Sequence, residues 1–275
     1  MTLKPQTQCL APHKPKIKLA ALYLSLWLSL CMGFNPQAQA AQTHLAVAAN
    51  FAAAIKRLKP LFEQQTGHQL IISLASTGTL YTQIKNGAPF DVFLAADTQH
   101  PERLINNGHA IKNSDFIYAQ GQLCLWSQQT ELINASSQVL TEFSRSKKGT
   151  HRIALANPKT APYGKAALQT LQALKLNKAF SGKKITGQNI AQAFQFVISG
   201  NAQIGFVAYS QVLALAPAER GSHWLVPEQL HSPLYQTAVL LNKGGDNLVA
   251  QEFLVFLKGY QAQAVLTTLG YLSSS

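Results

Sequence analysis

Four short breaks in the chain hold residues suited to gripping a ligand rather than transforming one. They are Ala49-Asn50, Ser76-Thr77-Gly78-Thr79, Ala161-Pro162-Tyr163-Gly164 and Gly187-Gln188-Asn189-Ile190. Each sits between an apolar run of strand character and a segment of helical periodicity. Each therefore offers a helix N-terminus whose first N–H groups have no intrahelical acceptor. Such termini carry the positive end of the helix dipole, and beyond the carboxyl ends of parallel strands they are where anions bind. Two of them in each half of the chain, facing across a cleft, would surround a small anion with neutral donors. Taken singly, Asn50 and Ser76 or Thr77 also read as ordinary N-caps.

Other chemistries lack their residues. The histidines beyond the N-terminal segment (44, 68, 100, 109, 151, 223 and 231) are scattered, with no His/Cys/carboxylate spacing that would ligate a metal cation. Neither a P-loop, nor G-x-G-x-x-G, nor a G-x-S-x-G nucleophile elbow occurs. The 11 acids are dispersed, so no paired-carboxylate site is visible. The basic excess forms no arginine cluster and no basic helix, which argues against nucleic acid as a partner.

The 275 residues are 47% apolar and only 12% charged, which excludes both a disordered chain and a coiled coil. The N-terminus reads as an address. Lys4, Lys14, Lys16 and Lys18 precede an uncharged apolar run from Leu19 to Phe34, and Ala38-Gln39-Ala40 closes the segment. A basic stretch, an apolar stretch and an A-x-A site make a secretory signal peptide, with cleavage expected after Ala40. The apolar run is too short for a bilayer span, and no later segment is long enough either. Removing residues 1–40 takes away four lysines and no acid, lowering the formal charge from +12 to +8. Cys9 and Cys31 leave with it, so Cys124 stands alone in the run Leu123-Cys124-Leu125-Trp126, a buried strand position rather than a reactive thiol. With no disulfide available, the core alone must hold the fold.

The elements that must position the four breaks alternate between strand and helix. Leu45–Ala49 reads as a strand. Phe51, Ala54, Ile55, Leu58 and Phe62 then follow the period of an amphipathic helix that Gly67 stops. Strands at Leu70–Leu74 and Val92–Ala95 enclose a short helix that begins near Leu80, and Pro101–Asn107 reads as another helix. The alternation restarts at Ile153–Ala156, with helices over Lys165–Leu174 and Asn189–Ser199, a strand at Ile204–Ala208 and a helix at Ser210–Ala216. Tyr235–Leu241 reads as a strand, and 246–258 and 261–269 as helices. Two α/β blocks make a two-domain protein with sheets covered on both faces. The stretches 116–126 and 230–241 read as segments crossing between the blocks.

On these residues the chain resembles the periplasmic molybdate-binding proteins, solute receptors of molybdate ABC transporters within the type II periplasmic binding-protein group. The resemblance is carried by LAVAANFAAAIKRLKPLFEQQTGHQL (45–70), LASTGTLYTQIKNGAPFDVFLAAD (74–97), RIALANPKTAPYGKAALQTL (152–171), GQNIAQAFQFVISGNAQIGFVAYSQV (187–212) and HSPLYQTAVLL (231–241). It covers about residues 43–272. It implies an α/β fold of mixed, mainly parallel sheets flanked by helices, with the ligand cleft between two domains. Their expected extents are 41–120 plus 233–275 for the first and 121–232 for the second, after a signal peptide at 1–40.

The resemblance further implies a receptor that does no bond chemistry and needs no cofactor. It would capture molybdate, and tungstate as well, and deliver it as a periplasmic monomer to a membrane permease. The tetrahedral oxyanion would be held by hydroxyls and backbone N–H groups without a neutralising arginine. Thr77 would give its Oγ and its N–H, Asn50 its amide or backbone N–H, Tyr163 a backbone N–H with its phenol as a second donor, and Ile190 a backbone N–H. Ala49 and Ser76 are flanking candidates. Molybdenum would arrive inside the oxyanion, with no protein side chain as a direct cation ligand. Two positions depart from the family's pattern: Ala49 has no hydroxyl to give, and Tyr209 falls one step beyond the usual tyrosine position, now Ala208, which would turn its phenol out of the cleft. The alternatives are a receptor for another oxyanion such as sulfate, or a periplasmic enzyme using a Ser/Thr nucleophile from 76–79.

Overall fold

A computed structural model describes residues 1–9, 40–147 and 151–273. Residues 1–9 contain no helix or strand, and the apolar stretch and A-x-A triplet of the expected signal peptide, up to Gln39, lie outside the described residues. Everything that follows concerns the compact unit that begins at Ala40.

Two five-stranded sheets carry the fold. The first contains β1 (Gln42–Ala48), β2 (Gln69–Ala75), β3 (Val92–Ala95), β4 (Phe116–Gly121) and β10 (Leu234–Leu240), in the order β2-β1-β3-β10-β4. The second contains β5 (Leu123–Ser127), β6 (Ile153–Ala156), β7 (Lys184–Gly187), β8 (Ile204–Ala208) and β9 (Ser222–Leu225), in the order β7-β6-β8-β5-β9. Both are mixed in the same way. A parallel trio, β2-β1-β3 or β7-β6-β8, is extended by one strand that runs against it and an outer strand that runs with it again. The first strand of each trio lies between the two that follow it. The chain thus leaves its carboxyl end first to one side and then to the other, which opens a crevice there.

Helices cover both sheets. α1 (Ala52–Thr66) follows β1 through a short 3-10 turn, Ala49–Phe51, and ends on Gly67 in the left-handed region at φ 73°. Its Phe62 meets Phe253 of α8 (Leu248–Lys258) edge-on, and α9 (Tyr260–Thr268) follows directly. α2 (Thr77–Lys85) and α3 (Gln99–Asn106) follow β2 and β3. On the second sheet, α5 (Pro162–Ala173), α6 (Ile190–Ile198) and α7 (Tyr209–Leu213) follow β6, β7 and β8. The stacked rings of Trp126 and Phe194, 4.8 Å apart, pack α6 onto β5.

The stretch 116–126 proves to be two strands, β4 in the first sheet and β5 in the second, joined at Gln122. The helix after β6 begins at Pro162, three residues before the apolar period suggests, because proline is preorganised for the first helical position. Two elements carry too weak a pattern to be read in advance, α4 (Gln138–Arg145) and β9, and β7 is signalled only as the strand that must precede the fourth break. α4 is closed from outside its own sequence. The buried Lys183 ammonium donates to the carbonyls of Phe143, Ser144 and Ser146 at 2.6–2.9 Å, satisfying the negative end of that helix. Cys124 is fully buried in β5, and burial pushes its thiol well above the ordinary range, so no thiolate forms there near neutral pH. Among the described residues no helix is long and apolar enough to cross a membrane.

Candidate functional site

The carboxyl ends of β1, β2 and β3 face those of β6 and β7, and the residues just beyond them line one small, tightly drawn pocket of about 10 Å³. All six positions singled out in the sequence, Ala49, Asn50, Ser76, Thr77, Tyr163 and Ile190, line it. Ala48, Ala96, Ala161, Pro162 and Asn189 complete the wall. No lysine, arginine, histidine, aspartate or glutamate is among the lining residues, so any charge placed here meets only neutral dipoles. A larger groove of about 510 Å³ lies alongside, open to solvent and edged by Asp97, His100, Arg103, Lys159 and Lys165. Its charged groups are solvated, and only Ala161 and Pro162 are shared with the small pocket.

Thr77 is the first residue of α2 and is 1% exposed. Its Oγ1 accepts the N–H of Ala96 at 3.1 Å. A hydroxyl that is already accepting keeps its single proton to give, so Ala96 turns Thr77 into a donor. Thr77 N–H, at the first position of the helix, has no carbonyl a turn earlier to bond. Ser76 is the N-cap of α2, yet its hydroxyl is shared with Thr79 Oγ1 at 2.7 Å. That engagement makes Ser76 a wall residue whose hydroxyl has a local partner. The next N–H, that of Gly78, reaches across to the Thr160 carbonyl at 2.8 Å, joining the first sheet's α2 to the loop before α5.

Asn50 sits in the 3-10 turn after β1 and is 2% exposed. Its side-chain Nδ2 donates to Gln236 Oε1 at 2.7 Å. Its backbone carbonyl accepts from the Tyr271 hydroxyl at 3.0 Å and from Ser210 Oγ at 3.3 Å. Asn50 is therefore held at both ends, by β10 on one side and by groups from α7 and the C-terminal segment on the other. Ala49, beside it, offers the pocket only its backbone and a methyl group.

Tyr163 is the second residue of α5, after Pro162, which places its N–H among the free donors of that helix. Its phenol lies over Gly121 at the end of β4: a Cβ built on Gly121 would stand 2.0 Å from the hydroxyl oxygen. Complete burial drives this phenol's pKa well up. Neighbouring Tyr271, Tyr118 and Cys124 add to the rise, and a hydrogen bond with Asn50 holds it back. The phenol is thus a buried strut against Gly121 and Asn50. Ile190 is the first residue of α6, whose N-cap Asn189 accepts Gln192 N–H at 3.0 Å. That cap leaves the Ile190 N–H free at the helix start. The Ile190 carbonyl takes a 3.4 Å bond from Gln211, which also accepts Ala208 N–H at 3.0 Å.

Tyr209 turns away from the pocket. Its ring packs on His223, with centroids 5.2 Å apart, and against Gly270. The tyrosine that reaches the site's framework comes instead from the C-terminus, Tyr271. It, Gln236, Ser210, Gln211 and the Ala96 N–H all serve the site, and none carries a local sequence signal. Among the described residues no group of three or more His, Cys, Asp or Glu is placed to hold a metal ion.

Two mixed sheets, a crevice at their facing carboxyl ends and a wall of free helix N–H groups define a solute-binding protein. The chain belongs to the bacterial extracellular solute-binding protein family, whose sequence profile matches residues 43–272. It is 47% identical to the molybdate-binding protein ModA of Azotobacter vinelandii, over 85% of this chain and 91% of that one. To ModA of Rhodobacter capsulatus it is 41% identical, over 90% of this chain and 94% of its relative. The solved periplasmic molybdate-binding protein of Azotobacter vinelandii superposes with a TM-score of 0.78 at 36% identity, covering 85% of this chain and all of that one. The sulfate-binding protein SubI of Mycobacterium tuberculosis superposes at 0.70 with 14% identity, a likeness of fold alone.

Proposed function

We propose that this chain is the receptor of a molybdate ABC transporter, binding molybdate, and tungstate with it, for delivery to a membrane permease. The observation that carries the proposal is the pocket wall: helix starts from both sheets, with Thr77 fixed as a donor and no ionised side chain present. A tetrahedral dianion presents only acceptors, so an array of neutral donors suits it. Hydrogen bonds to a charged partner are strong enough to replace a countercharge. Two relatives of similar length that are more than 40% identical are named for molybdate. A hydrolytic reading fares worse, because no lining group can take a proton from Thr77 or Ser76.

In this reading the oxyanion is gripped by the N–H and Oγ of Thr77 and by Asn50. The backbone N–H groups of Tyr163 and Ile190 complete the set, and Ala49 and Ser76 shape the wall. Residues 41–120 with 233–275 act as one domain and 121–232 as the other, closing over the anion so that a permease meets one closed surface. Export through the signal peptide, with cleavage after Ala40, delivers a monomer to the periplasm. The test is calorimetric titration of residues 41–275 with molybdate and tungstate. Binding near one anion per chain is expected, and absence of heat with both would overturn the proposal.

A further inference from the structure

The pocket wall holds no ionised side chain, yet the groove beside it is edged by three cations, Arg103, Lys159 and Lys165, against one carboxylate, Asp97. Elements of both sheets form its sides. α3 and the turn before it bring Arg103 and Asp97, and the loop before α5 and that helix's first turn bring Lys159 and Lys165. Asp97 is engaged locally: its carboxylate accepts the His100 backbone N–H at 3.0 Å and lies 2.8 Å from His100 Nδ1. The Arg103 guanidinium stands 4.9 Å from the centre of the Tyr81 ring. Both lysines are exposed, and no described carboxylate lies within ion-pair distance of either. Their backbones are fixed. Asn157 Oδ1 accepts Lys159 N–H at 3.0 Å, the Asn157 carbonyl accepts Ala161 N–H at 2.9 Å, and the Ala161 carbonyl accepts Lys165 N–H at 3.0 Å. Ala161 and Pro162, shared by groove and pocket, thus lie between the two lysines along the chain.

We infer that Lys159 and Lys165 are capture residues of the anion pocket: standing outside its wall, they speed the arrival of a dianion without holding it once bound. Exposed charges act over a Debye length of about 8–10 Å at moderate salt, the scale of an anion's last approach through the groove. Cations lining a cleft raise the local concentration of anions and with it the association rate. Once inside, the anion meets only neutral donors, so its release is set by those hydrogen bonds. A cation in the wall would have retained every small anion alike. Placed at the doorway, the lysines attract all of them, and the wall decides which one stays.

This inference rests on the oxyanion reading above, and rate measurements separate the two. Association and dissociation rates for molybdate are read by stopped-flow at low and at high salt. The proteins compared are wild type, Lys159→Gln/Lys165→Gln, Lys159→Glu/Lys165→Glu, and a control, Lys175→Gln/Lys178→Gln. The control removes the same charge from exposed positions beyond the far end of α5, a helix of 12 residues and so about 18 Å long. At low salt the glutamine pair in the groove should slow association about 5-fold and the glutamate pair about 25-fold, with the differences shrinking at high salt. Dissociation should stay within about 2-fold of wild type in all four, and the control should associate at nearly the wild-type rate. Unchanged association in the groove variants, an equal slowing in the control, or a loss carried by faster dissociation would each overturn the inference. A wild type that did not bind molybdate would instead sink the functional reading on which it rests.

Discussion

At the scale of single residues, the proposed anion site leans most on Thr77. Its hydroxyl accepts from Ala96 N–H, and its remaining proton is left for whatever enters. Thr77→Val keeps the shape and removes that donor, so molybdate affinity should fall by ~1.5–3 kcal/mol, read by calorimetry. Tyr163→Phe should behave differently, because the phenol is a strut against Gly121 and Asn50. We expect it to lower unfolding stability by about 1 kcal/mol while changing molybdate affinity far less than Thr77→Val does. The reverse order of affinities would show that the phenol, not the threonine, touches the anion. The residues that line the pocket were legible because each sits at a local punctuation mark between strand and helix. Their supports were not. Tyr271 is 221 residues from its partner Asn50 and Gln236 is 186 away, and no local pattern announces a contact at that distance.

At the scale of elements, the short backbone bond from Gly78 to Thr160 ties α2 to the loop before α5. A Cβ on Gly78 would stand 3.0 Å from the Thr160 oxygen and 3.1 Å from its Cα, both backbone atoms with little room to yield. Gly78→Ala should therefore hold the cleft ajar, which stopped-flow measurement would report as faster release of molybdate. Release at the wild-type rate would mean the two elements separate freely. Elements with strong periodicity, such as α1 with Ala54, Ile55, Leu58 and Phe62 on its buried face, were readable within a few residues. β9 and α4 were not, and β7 was readable only as a strand ending at the fourth break. Both strands are four residues long and made by pairing, and α4 depends on a lysine 37 to 40 residues away for its C-terminal cap.

For the whole molecule, the buried tyrosines link pH to stability. Burial raises the phenol of Tyr163 well above its ordinary value and, with Tyr271 nearby, that of Tyr118; it raises Tyr271 to about 12. In the unfolded chain each ionises near 10. Above that pH the unfolded state releases protons that the folded state keeps, so the folded state loses ground. Stability contributed by these groups is complete below pH ~10 and is lost as pH rises through the folded values. Urea midpoints should accordingly stay level from neutral pH to about 10 and then drop. A level profile beyond that point would mean that the phenols are not buried as described. The two sheets repeat one strand arrangement, and this shared topology brings helix starts from both to one crevice.

The most direct measurement is calorimetric titration of residues 41–275 with molybdate, tungstate, sulfate and phosphate in turn. The account predicts tight binding of molybdate and tungstate, near one per chain, with sulfate and phosphate far weaker. Tight binding of sulfate or phosphate in their place would contradict it, as would heat from none of the four.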